Sequence, residues 1–282
     1  MGKAIASTGE RNIHVDAALK KLCCARIDVS FPAMPQPFRL VAWNIRAGGG
    51  KRADLIGKAL AALAPNVVVL SEFRSGPPSQ LIASALAEAG LGAQLTALAQ
   101  VKPNTNAVMI ASRTGLKRVG LRKAPEEPGR WLMAREAGRG IAIGAMHIPN
   151  QHTGRKPGYH DAIVDLTKRW RDRPALLVGD TNSGRIGLDE ERPVFSQRTD
   201  QWFDRLAESG WQDGFRARQG DRRDYTWYSH RDNGFRLDQI FISPPISHHL
   251  KQVRHIWPIH PDRPDRRDGL SDHAALVADF EF

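Results

Sequence analysis

Three polar residues follow a predicted strand near the middle of the sequence. The apolar run at residues 175–178 stops at Gly179, and Asp180, Thr181 and Asn182 come directly after it. Apolar strands commonly end in turns that favour Asp and Asn, so a solvated turn explains this stretch when it is considered alone. A carboxylate beside an amide can also position a water molecule for hydrolysis. The choice depends on whether other strands end in residues that would meet these.

Three further predicted strands end in a polar side chain. Asn44 ends LVAWN, Glu72 ends NVVVLSE and His147 ends IAIGAMH. Each of them alone is explained by the first solvated position after a strand. Their number is what favours a shared site over independent turns.

Asp238 stands inside an apolar segment, FRLDQIFIS. An unpaired carboxylate there would be costly, so a partner is expected. The candidate partner is His273, which follows Asp272 at the start of the last predicted strand, GLSDHAALVADF. A buried carboxylate bonded to an imidazole fixes the tautomer of the ring and favours its protonated form.

The polar residues at these strand ends form an oxygen-rich set with one imidazole and no cysteine. Hard oxygen ligands select Mg²⁺ or Mn²⁺, and such an ion with a positioned water is the usual equipment for transferring a phosphoryl group to water. The set therefore predicts a cation site beside an acid–base histidine. Its members are Asn44, Glu72, Asp180, Asn182, Asp238, Asp272 and His273.

The elements that must position this set alternate between helix and strand. Mixed α/β patterning with a strand-rich C-terminal third predicts sheets covered by helices. Apolar periodicity predicts helices near residues 55–63, 79–89, 158–171 and 200–209, and strands near residues 38–45, 67–72, 106–112, 140–147, 175–178, 225–229, 236–242 and 274–281.

The first 37 residues differ from the rest of the chain. Loosely helical spacing over residues 13–26 is followed by the proline-rich segment FPAMPQPF. We expect an N-terminal extension over residues 1–37 and one catalytic domain over residues 38–282. No secretory or transmembrane segment is visible, and the two cysteines are adjacent, so a cytoplasmic, reducing location is expected.

The chain is strongly basic, with a formal net charge of +11 and a pI near 10.1. Such a balance fits a polyanionic partner, although a merely solvated basic surface would show the same charge. Two segments, residues 216–236 and 254–267, are rich in arginine. We expect both segments to flank the site and to hold a nucleic-acid backbone.

Seven motifs occur in a familiar order: WNIR, LSEF, HIPN, VGDTN, YTWYSH, FRLDQIF and LSDHAAL. Together they closely resemble the endonuclease/exonuclease/phosphatase superfamily, and within it the abasic-site endonucleases of the exonuclease III type. The resemblance covers about residues 38–282. It implies a four-layered α/β sandwich of the deoxyribonuclease I type, with two packed mixed sheets flanked by helices.

The resemblance also implies a role for each matching residue. Glu72, Asn44 and Asp272 would hold Mg²⁺, for which Mn²⁺ would substitute. Asp180 would be the general base, Asn182 would hold the phosphate or the water, and His273, oriented by Asp238, would stabilise the developing charge. His147 is a further catalytic candidate. Candidates for substrate binding are Asn150, Asn106, Arg155, Trp227, Phe235, Arg222, Arg223 and Arg236.

Two positions depart from the exonuclease III pattern. Tyrosine is common there where this chain has His147, and also near Asn106. Trp227 and Phe235 match aromatics that surround an abasic sugar, but core packing explains them equally well. The resemblance therefore implies phosphodiester hydrolysis more strongly than it implies strict abasic-site specificity.

The leading functional prediction is a Mg²⁺-dependent nuclease that cleaves DNA internally, from a 3′ end or in both ways. Abasic sites and DNA repair are the candidate target and role that the resemblance adds, and a monomer is the default expectation for an oligomeric state that the sequence leaves open. Charge and the arginine segments favour repeated backbone phosphates over a single small headgroup. One alternative is a phosphatase or phosphodiesterase that acts on a lipid headgroup or a small phosphoester. Another is a catalytically inactive nucleic-acid-binding module.

Overall fold

The computed structural model describes residues 36–282, so the predicted helix near residues 13–26 and most of the proline-rich connector lie outside the described residues. The described part contains two six-stranded sheets and a separate two-stranded ribbon. Its strands are β1 (Pro37–Asn44), β2 (Val67–Phe73), β3 (Ala93–Thr96), β4 (Ala107–Ser112), β5 (Leu116–Arg118), β6 (Trp131–Glu136), β7 (Ala142–His147), β8 (Ala175–Asp180), β9 (Gln212–Asp213), β10 (Trp227–Tyr228), β11 (Gly234–Phe235), β12 (Asp238–Ile242), β13 (Leu250–Ile256) and β14 (Ala275–Glu281).

Helices cover the outer face of each sheet. The first sheet has the strand order β13–β14–β1–β2–β4–β3, and the second has the order β5–β6–β7–β8–β12–β9. Between Gln36 and Phe282 the α-helices are α1 (Ala53–Ala62), α2 (Pro77–Glu88), α3 (Lys156–Trp170), α4 (Gln197–Glu208) and α5 (Gly214–Gln219). None of these helices is long and apolar enough to cross a bilayer.

Strand β1 shows how the sequence builds the layers. Phe38, Leu40 and Ala42 belong to the core between the two sheets. The alternate residues Val41 and Trp43 pack with α1 and α2 on the outer face. Because both faces are buried, the strand is apolar almost throughout. Strand β8 is buried on both faces in the same way, against the first sheet and against α3 and α4.

The predicted four-layered α/β sandwich is therefore confirmed. The order of layers is α1 and α2, first sheet, second sheet, α3 and α4. The pattern did not predict β3, β5, β6, β9, β11, β13 or α5, and it predicted one strand at residues 225–229 where the structure has the two-residue β10. Strand β13 alternates apolar and polar residues irregularly because its pairing shifts between Leu250 and Gln252.

The strand register brings the predicted site together. Strands β7 and β8 are parallel and place His147 opposite Asp180. Strand β12 runs antiparallel to β8 and begins with Asp238, also opposite Asp180. In the first sheet, parallel β1 and β2 end side by side, with Asn44 opposite Ser71. One edge of the sandwich thus collects polar side chains from both sheets.

Candidate active site

Asp180 lies at the centre of the site and is 2% exposed. Asn44 reaches it from the other sheet and donates from Nδ2 to Asp180 Oδ2 over 3.0 Å. The backbone N–H of Asn182 donates to Asp180 Oδ1 over 2.9 Å. Asn182 has a φ of 46° and donates its own side-chain amide to the carbonyl of Ile148 over 2.9 Å.

The stretch GDTN is therefore a turn, as its composition indicates, but it is a buried one. The hydrogen bond from the N–H of residue 182 to the carboxylate of residue 180 is the local turn that Asp favours. A solvated turn would leave this carboxylate in water. Burial instead raises the pKa of Asp180 to about 6, against the opposing field of His273. The carboxylate is thus placed for chemistry near neutral pH.

His273 is hydrogen-bonded to Asp238, the partner that the sequence predicted. Its Nδ1 lies 2.8 Å from Asp238 Oδ2, and its backbone carbonyl accepts a hydrogen bond from the indole of Trp43. Burial alone would lower the pKa of His273, but the carboxylates of Asp238 and Asp180 outweigh it and raise the pKa to about 10. The ring is therefore an imidazolium at neutral pH.

Two imidazoles face the same oxygen of Asp180. The Nε2 atom of His147 is 3.7 Å from Asp180 Oδ2, and the Nε2 atom of His273 is 3.9 Å from it. Burial, with Arg130 and His273 nearby, holds the pKa of His147 well below its usual range, so this ring is neutral. Both distances exceed a hydrogen bond, so each ring remains able to donate to a substrate oxygen.

Glu72 occupies a strained position at the end of β2. Its φ is +60°, and the pairing of β2 with β4 is irregular between Leu70 and Phe73. Its Oε2 accepts the N–H of Ala47 over 2.7 Å. Non-glycine residues at positive φ are uncommon and cluster at functional sites.

Asp272 completes the predicted metal ligands. Arg46 Nε lies 4.0 Å from Asp272 Oδ1. Burial and the neighbouring Arg46 lower the pKa of the half-buried Arg52. Asp272 and Glu72 both oppose this lowering, so both carboxylates lie near Arg52. The two carboxylates therefore share one neighbourhood at the end of the sandwich.

These donors fit a Mg²⁺ ion that retains water. Within residues 36–282, no group of three or more His, Cys, Asp or Glu side chains is spaced to enclose a metal by itself. Magnesium does not need such a cage, because it is commonly bound through one or two carboxylates together with substrate phosphate and water. Glu72, Asp272 and the amide oxygen of Asn44 are donors of the required hard type.

Lys156 belongs to the site and was not predicted. It is 7% exposed at the start of α3, and its ammonium donates to the backbone carbonyl of Asn182. Burial lowers its pKa to about 8, although Asp180 favours the charged form. The segment RKPG does indicate a helix start, but nothing in its composition indicates that the lysine is buried.

The prediction that Arg236 binds substrate was wrong. Arg236 is completely buried and forms ion pairs with Asp189, at 2.7 Å, and with Asp213, at 2.6 Å. A guanidinium that is enclosed in this way cannot reach a DNA phosphate. Arg216 also pairs with Asp189, so part of the first arginine-rich segment holds the fold together instead of facing a partner.

The remaining substrate-binding candidates separate into three places. Asn150, Trp227 and Phe235 line a cavity of about 610 Å³ beside Asn182 and Lys156, hereafter the side cavity. Asn106 and Arg155 line a second cleft, hereafter the basic cleft, with Arg74, Lys102 and Arg130. Arg222 and Arg223 are exposed but are not among the residues that line either one.

Comparison with known proteins identifies the chain at family level. The model of the endonuclease/exonuclease/phosphatase family matches residues 41–273. No curated protein sequence is significantly similar to the chain. Among solved structures, the 3′ phosphatase NExo from Neisseria, bound to a product DNA hairpin, has a TM-score of 0.71 at 24% identity, and the match covers 87% of this chain and 100% of that one.

Two other solved structures have the same fold. A 3′–5′ exonuclease from Neisseria meningitidis has a TM-score of 0.68 at 23% identity, over 87% of this chain and 100% of that one. An abasic-site (AP) endonuclease from Archaeoglobus fulgidus has a TM-score of 0.71 at 19% identity, over 86% and 99%. With the family model, these matches confirm the resemblance: the chain belongs to the endonuclease/exonuclease/phosphatase family and is a hydrolase of phosphoesters.

Proposed function

We propose that the protein is a Mg²⁺-dependent nuclease that hydrolyses phosphodiester bonds of DNA. The observation that carries this proposal is the buried carboxylate of Asp180, which is held by two amide donors and faced by one neutral and one protonated imidazole. This arrangement supplies a base next to two donors for phosphate oxygens. It is the combination that in-line attack of water on a phosphodiester requires.

In the proposed mechanism, Asp180 orients the attacking water and takes its proton. The hydrogen bonds from Asn44 and Asn182 fix the carboxylate while it does so. His273 donates from Nε2 to a non-bridging phosphate oxygen, because Asp238 occupies its Nδ1 and keeps the ring charged. His147, which is neutral, can donate one N–H to the same phosphate without adding charge.

Glu72, Asn44 and Asp272 would hold the Mg²⁺ ion in this proposal. When bound, the ion would polarise the phosphate and neutralise charge that develops on its oxygens. Two features support this role for Glu72: its backbone has a positive φ at the end of β2, and the N–H of Ala47 orients the Glu72 carboxylate.

The basic cleft supports DNA over a small phosphoester. Arg74 follows Glu72 by two residues, and Arg130 donates to the carbonyl of His147 over 3.3 Å, so the cleft begins at the catalytic residues. Arg74, Lys102, Arg130 and Arg155 contribute four positive charges, against the single carboxylate of Glu127. A cleft that is lined by several cations beside the site fits a chain of phosphates. DNA-bound NExo has the same fold.

One set of reactions tests the proposal. The purified protein, with Mg²⁺, Mn²⁺ or EDTA, is incubated with plasmid, a duplex with one abasic site, single-stranded DNA, RNA and a panel of phosphoinositides. We expect DNA cleavage with either metal and none in EDTA. Plasmid nicking and 3′ shortening would separate internal from terminal cleavage. Hydrolysis of phosphoinositides alone, or full turnover in EDTA, would refute the proposal.

Salt dependence tests the basic cleft. Each phosphate that a lysine neutralises contributes about 0.9 to the slope of log affinity against log salt for duplex DNA. Lys102→Ala should therefore reduce that slope by about 0.9. Lys58→Ala is the matched control, because Lys58 is an exposed lysine that pairs with Asp54 on α1. Equal slopes for the two variants would show that Lys102 does not contact the backbone.

A further inference from the structure

The side cavity opens from the catalytic centre itself. Asn182 and Lys156 are among the residues that line it. Trp227 lines it as well, and its backbone pairs with His273, while the two rings lie 6.4 Å apart between centroids. A group in this cavity would therefore lie next to a phosphate that Asn182 and His273 hold.

Aromatic and aliphatic side chains line the side cavity together with polar ones. Phe235 packs between two other rings, 5.8 Å from Trp227 and 5.5 Å from Phe195 between centroids. Trp227 and Phe195 are only half-buried, so ring surface remains open to the cavity. Val194 is 51% exposed on the same wall. Flat apolar surface of this kind stacks on nucleobases without regard to sequence.

The wall that carries Phe195 is fixed in place. The buried carboxylate of Glu190 accepts the backbone N–H groups of Val194 and Phe195, at 2.5 and 2.7 Å. Asn233 ties this segment to the β10–β11 ribbon through two hydrogen bonds with the backbone of Arg192. Gly184 makes room for the Phe195 ring, since a Cβ there would lie 2.5 Å from Cε2. The cavity is therefore preformed, which reduces the cost of binding.

The size and lining of the side cavity exceed what a sugar without a base needs. Its volume of about 610 Å³ lies within the range of pockets that enclose whole small molecules. Besides Trp227 and Phe235, its lining includes Phe195 and Val194, together with the exposed Arg192 and Arg231. Apolar surface combined with polar side chains matches the faces and edges of a base.

We propose that the side cavity binds the intact nucleoside, with its base, of the nucleotide bonded to the hydrolysed phosphate. This inference rests on the proposed nuclease function and makes it more specific: the substrate is DNA with a base at the cleavage position, and removal of the base weakens it as a substrate. Phe195 acts as a specificity residue that contacts the base and takes no part in the hydrolysis.

Two duplexes that differ at one nucleotide test the inference. Next to the cleaved phosphodiester, one duplex carries adenine and the other carries a tetrahydrofuran sugar without a base. Stacking of one base on an aromatic ring changes affinity by about 5- to 150-fold. We expect the unaltered protein to have a kcat/KM on the adenine duplex at least about 5-fold above that on the abasic duplex.

Variants of Phe195 separate stacking from folding. Phe195→Ala and Phe195→Leu should each lower kcat/KM on the adenine duplex by about 5-fold or more and leave the abasic duplex unchanged, while Phe195→Trp should retain the preference. Ile186→Ala is the control, because Ile186 is 44% exposed on the same segment and is not among the cavity-lining residues. Melting temperatures check the fold of each variant.

The contrary outcomes are distinct. Preference of the unaltered protein for the abasic duplex, or an equal loss on both duplexes in Phe195→Leu, would overturn the inference and leave the nuclease function in place. Failure to cleave either duplex with Mg²⁺ or Mn²⁺ would refute the proposed function itself, and the inference with it.

Discussion

Replacement of Asp180 by asparagine tests whether the GDTN turn is catalytic. Asn keeps the size of the side chain and its preference for turns, but it removes the negative charge. Without a base to take the proton from water, turnover should fall by about 10²- to 10⁴-fold, which corresponds to roughly 3 to 5 kcal/mol at the barrier. DNA should bind at least as tightly, because the variant no longer repels phosphate.

Two opposing effects set the stability of Asp180→Asn. Burial raises the pKa of Asp180 to about 6, so keeping this carboxylate ionised in the folded protein costs about 3 kcal/mol relative to water. The variant avoids that cost. The carboxylate of Asp180 accepts a hydrogen bond from Asn44 on one oxygen and from Asn182 on the other. The carboxamide of the variant has only one oxygen. One donor then faces an NH₂ group, which costs about 1 to 3 kcal/mol. The free energy of unfolding at pH 7 should therefore stay the same or rise by up to about 2 kcal/mol.

The pH dependence of stability gives a second readout for Asp180. Because the pKa is higher in the folded protein than in the unfolded chain, the folded state binds the extra proton between pH 3.8 and 6. This carboxyl therefore stabilises the fold below pH 3.8 relative to pH 7, and that contribution is lost as the pH rises through 6. Asp180→Asn should lack this dependence.

The assay measures the rate on one DNA substrate with Mg²⁺ and the melting temperature of the same preparation at pH 7 and pH 5. Asp172→Asn is the control, since the side chain of Asp172 is 91% exposed beyond the end of α3. It should match the unaltered protein in both measurements. A near-normal rate for Asp180→Asn, accompanied by a lower melting temperature, would refute the catalytic role and leave Asp180 as a turn residue.

Four further predictions follow from individual residues. Glu72→Gly should abolish turnover at millimolar Mg²⁺. It should also raise the free energy of unfolding by about 1 kcal/mol, because a φ of +60° suits glycine. Activity and urea unfolding of one preparation check this, and retained activity would contradict the metal role. Burial is the main reason why the pKa of His160 is lowered to about 3. The unfolded chain therefore binds a proton that the folded protein does not, and the protein should lose about 2 kcal/mol of stability through this residue as the pH falls from 6.5 to 5. Unfolding of His160→Phe at both pH values should show that loss removed; an unchanged pH dependence would assign it to other groups. Arg222→Ala combined with Arg223→Ala should lower DNA affinity and flatten the salt slope, and unchanged binding would leave both arginines as solvated surface. A chain that begins at Gln36 should keep its activity on short DNA, and loss of both folding and activity would show that the preceding residues complete the core.

The sequence predicts a contact between distant residues best where burial of a charge would be costly without a partner. Asp238 in an apolar segment required a partner, and His273 lies 2.8 Å from it. Arg236 stands two residues earlier in the same segment, and the same reasoning would have predicted an acidic partner for it; in the structure the partners are Asp189 and Asp213. It was instead grouped with the basic surface, because arginine is usually exposed.

Other features depend on contacts that no local pattern carries. Lys156 is buried because the start of α3 packs beside Asn182, 26 residues further along the chain. Strand β9 pairs with the end of β12, and α5 packs against β12 and β13. Short elements of this kind have too few residues for a period to emerge, so only the packed sheets define them.

The two sheets each carry half of the site, and this explains why single strand ends predict so little. Asn44 and Glu72 come from the first sheet, whereas His147, Asp180 and Asp238 come from the second. The bond from Asn44 to Asp180 crosses the boundary between the sheets, so it forms only when the apolar core between them is packed. That core must also offset the buried charge of Asp180 and the strained backbone of Glu72. A turn residue has no such dependence on the opposite sheet. The convergence of both sheets on one carboxylate is therefore a property of the set of motifs, and it becomes predictable only when all of them are considered in order.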